Sequence, residues 1–243
     1  MPPWRYRLLI VALSPLLLGY TAWRAVKDGG WRYWWQRLGI HRQDALPADS
    51  SPDRETLWVH AASVGEVITV LPLITAWKAQ HPDTVFLVTT ATPTGAAILM
   101  KQAIPDLRHQ YLPVDFRGAG KRFLAQLPAR RGWVVETEIW PWLYAHCAQQ
   151  GISLTIVNGR LSNRTSTQSG GLLASSYRRA LTHVRVLARS QEDADRFLAL
   201  GTPASQLQLA GNLKYADSPV TTDQPAPLQV AYVLAASTHD DEE

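Results

Sequence analysis

The chain has 243 residues, 46% apolar and 18% charged, with a formal net charge of +4. This apolar share supports a packed core and excludes a disordered chain, and the single cysteine, Cys147, excludes an internal disulfide and fits a reducing compartment. Residues 1–45 hold seven Lys/Arg against Asp28 and Asp44, so the remainder is nearly neutral, a distribution that suits an anionic membrane surface better than a nucleic-acid partner.

The first element is an uncharged apolar run from Leu8 to Trp23. As a helix it is about 24 Å long, short against a bilayer core of about 30 Å, and Pro15 is expected to kink it. Trp4, Tyr6, Tyr20 and Trp23 crowd its ends, followed by Trp31, Tyr33, Trp34 and Trp35, as amphipathic rings do at a membrane interface. The more basic C-terminal flank places the body of the protein in the cytoplasm by the positive-inside rule. Residues 1–42 therefore read as a membrane-anchor helix with a basic aromatic interfacial segment. A cleaved signal peptide and a buried soluble helix are the alternatives.

Residues 43–55 are polar with two prolines and read as a linker. Beyond them strands are expected at Thr56–His60, Thr84–Thr90, Arg108–Leu112, Trp133–Val135, Leu154–Val157, Val184–Ala188 and Gln206–Ala210. Helices are expected between them at Gly65–Ala79, Thr94–Lys101, Gly118–Gln126, Pro141–Gln149, Leu172–Thr182 and Gln191–Leu200. This alternation predicts an α/β fold for 43–216: a Rossmann-like, mostly parallel sheet with helices on both faces. Residues 217–228 read as a second linker and Gln229–Ala236 as a further strand, so 217–243 is the expected start of a second domain.

Phosphate-loop, dinucleotide, zinc and nucleophile-elbow signatures are missing, and no metal or cofactor is expected. In WVHAASVGEV (58–67) a strand gives way through Ser63 and Gly65 to a helix whose first turn carries Glu66. That edge is where open α/β sheets bind ligands, and the helix dipole favours the ionised carboxylate. Ser63 and Glu66 equally make a capping box, with Glu66 reaching back to the Ser63 backbone. Thr94 and Gly95, in TATPTG (90–95), stand at a second such edge, as sugar or phosphate contacts or as part of an N-cap. Glu136 and Glu138 end a core strand and share a face if that strand continues, for a purpose or for an ion pair with a nearby Arg. Arg160 and Arg164 suit bidentate phosphate contact or are solvated surface groups. Ser190 opens another capping box. Lys214, in GNLK, closes the first domain and could face a cleft between domains.

Taken together, WVHAASVGE, TTATPTG, YLPVD, ETEIWP, NGRLS, RSQEDADRF, LGTP and GNLK stand in the order of the Kdo transferase family, and the final AASTHDDEE resembles that family's AASTH-x-x-E. The resemblance covers the whole chain. It implies a two-domain glycosyltransferase of the GT-B type at the cytoplasmic face of the inner membrane. The N-terminal half binds the lipid A precursor, lipid IV A, and the C-terminal half binds CMP-Kdo. Transfer is inverting and metal-independent, and Glu66 is the implied general base, a role that coexists with capping. Glu136, Glu138, Arg160 and Lys214 become cleft residues. Trp142 in place of Asn, Asn163-Arg164-Thr165 in place of E-R-S, and Tyr215 in place of Phe depart from the family pattern. Most of a donor domain is expected to be missing, and the chain alone is expected to be inactive. A membrane-tethered lipid-binding module and another cell-envelope glycosyltransferase of the same architecture are the competing functions.

Overall fold

A computed structural model describes residues 1–41, 54–161 and 173–215. Two helices, α1 (Trp4–Arg24) and α2 (Gly30–Arg37), are joined by a π-helical turn at Ala25–Gly29. The strands that follow are β1 (Thr56–His60), β2 (Val85–Thr90), β3 (Leu107–Tyr111), β4 (Arg131–Val135), β5 (Ser153–Gly159), β6 (Val184–Ala188) and β7 (Leu207–Leu209). Every pairing among them is parallel, in the order β3-β2-β1-β4-β5-β6-β7, which continues the Rossmann-like order. Helices α3 (Val64–Gln80) and α4 (Pro93–Met100) cover one face, and α5 (Arg117–Ala125), α6 (Pro141–Gln149), α7 (Ala174–Leu181) and α8 (Gln191–Leu200) cover the other.

The side-chain period of two divides each strand between two cores. Trp58, Leu87, Ile156 and Phe197 are buried in one, Val59, Phe86, Val88 and Ile74 in the other. Each such side chain stabilises the fold by about 1.5–3 kcal/mol. From β1 the chain steps outward to β2 and β3, then crosses back to β4 on the other side of β1. Connections therefore diverge between β1 and β4, and the carboxyl ends of these two strands border a crevice.

Element bounds shift where polar partners extend them. β4 starts two residues before its apolar run because Arg131 is held by Glu55 at 2.7 Å. Ser190 caps α8 as expected, accepting from the Asp193 amide at 3.2 Å. Residues 43–53 of the first linker, Leu172 of the α7 segment, the second linker and the strand expected at Gln229–Ala236 lie outside the described residues.

The expected kink at Pro15 does not end the first helix, which is continuous from Trp4 to Arg24. Proline leaves the carbonyl of Val11 without its usual helical donor, and the Ser14 hydroxyl donates to that carbonyl instead, at 2.7 Å. The helical stretch Trp4–Arg37 is long and apolar enough to cross a membrane by length and composition.

The N-terminal segment is fastened to the sheet's edge strand. Outward-facing backbone groups of an edge strand need partners or water. Here Arg32 donates to the His109 carbonyl at 2.6 Å, Gln36 accepts from the Tyr111 amide at 2.8 Å, and Arg37 donates to the Leu112 carbonyl at 2.5 Å. Tyr33 is buried against Ala96 and Tyr111. At Gly39, whose φ is +75°, a Cβ would lie 2.2 Å from the Ala119 carbonyl oxygen, so the chain lies against α5 only because no side chain intervenes. At the other end of the segment the Tyr6 hydroxyl donates to the buried Asp115 carboxylate at 2.5 Å.

Two histidines are buried in this docking zone, His41 beside Phe123 and His109 beside Tyr111. Burial, with the Arg32 guanidinium adding to it, pushes His41 down to about 4 and His109 down to about 3. The unfolded chain takes up these protons near its ordinary value of 6.5, and the folded chain only well below it. Stability from this source is therefore complete above pH 6.5 and declines as pH falls toward 4. The slope is up to about 1.4 kcal/mol per pH unit for each histidine. Urea unfolding of the full chain at pH 7.5, 6 and 5 should show that decline, and His41→Phe should make it shallower.

Candidate active site at the carboxyl edge of the sheet

The end of β1 is locked to β2. The Ala61 amide donates to the Thr89 carbonyl at 3.0 Å, and the Ala91 amide to the Ala62 carbonyl at 3.1 Å. Ser63 then takes an extended conformation and caps α3, accepting from the Glu66 amide at 3.4 Å. The Glu66 carboxylate folds back over the turn. One oxygen accepts from the Ala62 amide at 2.6 Å and the other from the Ser63 hydroxyl at 3.0 Å. The capping box is thus present with a shifted partner: Glu66 reaches the backbone of Ala62, one residue before the cap, not that of Ser63.

Across the crevice, β4 stops at Val135. Glu136 has φ +59°, and its amide donates to the Val157 carbonyl at 3.0 Å. This left-handed residue turns the chain off the strand, so the strand does not continue and Glu136 and Glu138 do not share a strand face. Among the described residues neither is ion-paired with an arginine. Glu138 instead turns toward β1, where its carboxylate lies 3.9 Å from His60 Nε2. The backbone around it is held by the Tyr144 hydroxyl, which donates to the Glu138 carbonyl at 2.7 Å, and by the Thr137 hydroxyl, which donates to the Arg160 carbonyl at 2.5 Å.

Glu66, Glu138 and His60 therefore converge at the switch point, joined by Ser63. Burial raises the Glu66 carboxyl above the ordinary carboxylate value, and the neighbouring Glu138 charge adds to the rise. The Ala62 amide, His60 and the Ser63 hydroxyl oppose it without cancelling it. Glu66 thus combines raised affinity for a proton, partial exposure and a position at the switch point, the conditions under which a carboxylate can exchange a proton with a ligand.

His60 carries no motif role in the sequence reading. It is fully buried, with Nδ1 3.0 Å from both the carbonyl and the hydroxyl of Thr89, while Nε2 has no hydrogen-bond partner among the described residues. The signal was available: a polar residue at the tip of an otherwise apolar core strand needs a partner or a purpose. Asp115, the last residue of YLPVD, is a second buried polar group of this kind. It follows β3, is buried, and accepts from the Trp142 and Leu143 amides at 3.0 and 2.9 Å, which supplies α6 with the N-terminal acceptor that Trp140 cannot provide.

The remaining expected residues that are described lie along the same edge of the sheet. At Gly95 a Cβ would lie 3.1 Å from Thr92 Oγ1 and 3.5 Å from the Ser63 backbone, so its bareness lets α4 back the Ser63 turn. Thr92, not Thr94, caps α4; Thr94 is exposed beside it. Gly65 is exposed with open space over it. Arg160 is exposed past β5. Lys214 is exposed on a short 3-10 helix (Leu213–Tyr215), placed by a hydrogen bond of 3.1 Å from the Leu213 amide to Asn158 Oδ1. Arg164 lies outside the described residues.

The family model for 3-deoxy-D-manno-octulosonic-acid transferase (kdotransferase) matches residues 32–217. Among curated relatives, the 3-deoxy-D-manno-octulosonic acid transferase of Haemophilus influenzae is 31% identical over 214 residues, covering 87% of this chain and 49% of the relative. That of Bordetella pertussis is 34% identical over 219 residues, covering 86% and 49%. A probable mitochondrial one of Arabidopsis thaliana is 28% identical over 213 residues, covering 86% and 46%. The chain spans about half the length of the curated relatives it matches.

The electrostatics at the switch point can be read by carbon-13 NMR titration of glutamate carboxyls in the full chain. Glu66 should titrate above the ordinary value. Glu138→Gln should lower its midpoint by removing a like charge, and Ser63→Ala should raise it by removing a donor to the ionised form. An unchanged midpoint in Glu138→Gln would show that the two carboxylates do not interact.

Proposed function

Because the chain belongs to the Kdo transferase family, we propose that it forms the acceptor-binding half of a GT-B Kdo transferase, which transfers Kdo from CMP-Kdo to lipid IV A in lipopolysaccharide synthesis. The observation that carries this reading is the placement of Glu66: a half-buried carboxylate with raised proton affinity at the β1/β4 switch point. The acceptor hydroxyl enters the crevice beside Glu66. Its oxygen forms a bond to the anomeric carbon of Kdo while its proton passes to Glu66. The bond from that carbon to the CMP phosphate breaks on the opposite face, and its electron pair leaves on the phosphate oxygen. The configuration inverts, and no metal is required in this scheme. Donor contacts fall to the part of the relatives that this chain does not span.

Capping does not compete with this role. A carboxylate offers about four lone-pair sites, and Ala62 and Ser63 occupy two of them. The same two bonds hold the carboxylate in one orientation, as a base must be held. Glu138 and His60 fix the charge facing it. Exposed Thr94, Gly65, Arg160 and Lys214 stand around the same edge and are the proposed contacts for the phosphorylated sugar of the acceptor; Glu136 is proposed at its margin, and Arg164 as a further phosphate contact. The apolar, basic N-terminal segment supports residence at the cytoplasmic face of the inner membrane, where the acceptor lipid lies.

Glu66→Gln tests the reading, with the rest of the enzyme supplied by fusing the corresponding half of the Haemophilus influenzae relative. The variant keeps shape and most capping capacity. It should bind acceptor and lose about 10²–10⁴-fold in turnover, with stability changed by only about 1 kcal/mol. Lower stability with unchanged turnover per folded molecule would make Glu66 a capping residue alone.

A further inference from the structure

The arc of α1 that the protein covers runs along the helix's whole length. Tyr6, Ile10, Ser14, Leu17, Thr21 and Arg24, spaced three and four apart, are buried or half-buried, and that spacing is one face of a helix. A span projecting from the domain into a bilayer would be covered at its root only. Both ends of α1 are tied to the same body. Near its start, Tyr6 is bonded to Asp115, and Arg179 of α7 donates to the Met1 carbonyl at 3.3 Å. Past its end, α2 is knitted to β3.

The opposite arc is apolar and uncovered. Trp4, Leu8, Val11, Leu16, Tyr20 and Trp23 are each more than half exposed. Both ends of that arc carry a cation over an indole: Arg5 lies 5.5 Å from the Trp4 ring centre and Lys27 lies 4.8 Å from that of Trp23. Amphipathic rings and long cationic side chains sit at headgroup level, so each end of the arc lies at a headgroup level, and because both ends are tied to the same body the two levels belong to one leaflet. The one acidic residue in the helical stretch, Asp28, is neutralised by Arg24 at 3.2 Å.

From this geometry we propose that α1 does not cross the membrane but lies flat in one leaflet of an anionic phospholipid bilayer, strapped to the catalytic domain at both ends. The strap holds the carboxyl edge of the sheet at a set distance from the lipid surface, because Asp115 and the end of β3, its two fastening points, belong to that edge. This inference rests on the membrane reading above and is independent of the chemistry assigned to Glu66.

Cysteine labelling decides it. The native Cys147 is buried and gives no background. Arg5→Cys and Lys27→Cys replace exposed side chains about 33 Å apart along a helix, a distance equal to a bilayer core. With the full chain in cells, both cysteines should react with a membrane-impermeant maleimide in inverted inner-membrane vesicles, and neither in sealed spheroplasts. Reaction of either position from the periplasmic side of a membrane-bound chain overturns the flat orientation and leaves the proposed function standing. Loss of the chain from the membrane fraction overturns both the orientation and the membrane reading. As a second measurement, fluorophores on Leu8→Cys and Leu16→Cys in phosphatidylethanolamine/phosphatidylglycerol vesicles should be quenched equally by shallow brominated lipid. A spanning helix would separate them in depth by about 12 Å, and unequal quenching of that kind contradicts the proposal.

Discussion

A single buried carboxylate joins the parts of this protein that the sequence keeps far apart. Asp115 follows the edge strand β3, accepts from the Tyr6 hydroxyl, and receives the first free amides of α6. α6 in turn anchors the loop that carries Glu138, through Tyr144. Burial alone raises the Asp115 carboxyl, and these three donors oppose it. Removing a partner from such a group strands an unsatisfied charge or buried donors, at a cost of about 1–3 kcal/mol for each group left unmade. Helix α1, the sheet edge and the loop that carries Glu138 are therefore positioned by one set of hydrogen bonds.

The site itself is a balance between burial and capping. The turn after β1 must leave polar groups at a helix N-terminus, and Ser63 and Glu66 satisfy them. The same turn half-buries Glu66 opposite Glu138. The neighbouring Glu138 charge raises the proton affinity of Glu66, whereas donors from the turn lower it. Burial and repulsion win at Glu66, so a residue placed by ordinary helix-capping chemistry gains the raised proton affinity that the proposed base needs. Structural and catalytic readings of the motif describe the same atoms.

Local patterns were legible in the sequence because strand alternation, caps and turn residues act over a few positions. The parallel sheet, the helices α6 and α8 and the Ser63 and Ser190 caps follow from them. What depended on distant partners was not legible. Whether β4 continues past Val135 was decided by Glu136 turning left-handed over Val157 of β5. That the helix runs on through Pro15 depends on Ser14, which lends a donor to the carbonyl the proline deserts. The lie of α1 hangs on Tyr6 meeting a residue 109 positions later. His60 could have been found, since the argument that flagged Glu136 and Glu138 applies equally to it.

Under the proposed function the acceptor lipid enters between β1 and β4 at the carboxyl edge, next to Glu66. Photo-crosslinking tests it without requiring turnover. A tetraacyl disaccharide acceptor carrying a diazirine on the hydroxyl that receives Kdo would be irradiated with the membrane-bound chain, and the modified peptides identified by mass spectrometry. Entry at this edge requires crosslinks on the turn Ala61–Glu66 and on the loop 136–140, competed away by unlabelled acceptor. Crosslinks confined to the amino edge of the sheet, such as the loops 81–84 and 126–130, would contradict it.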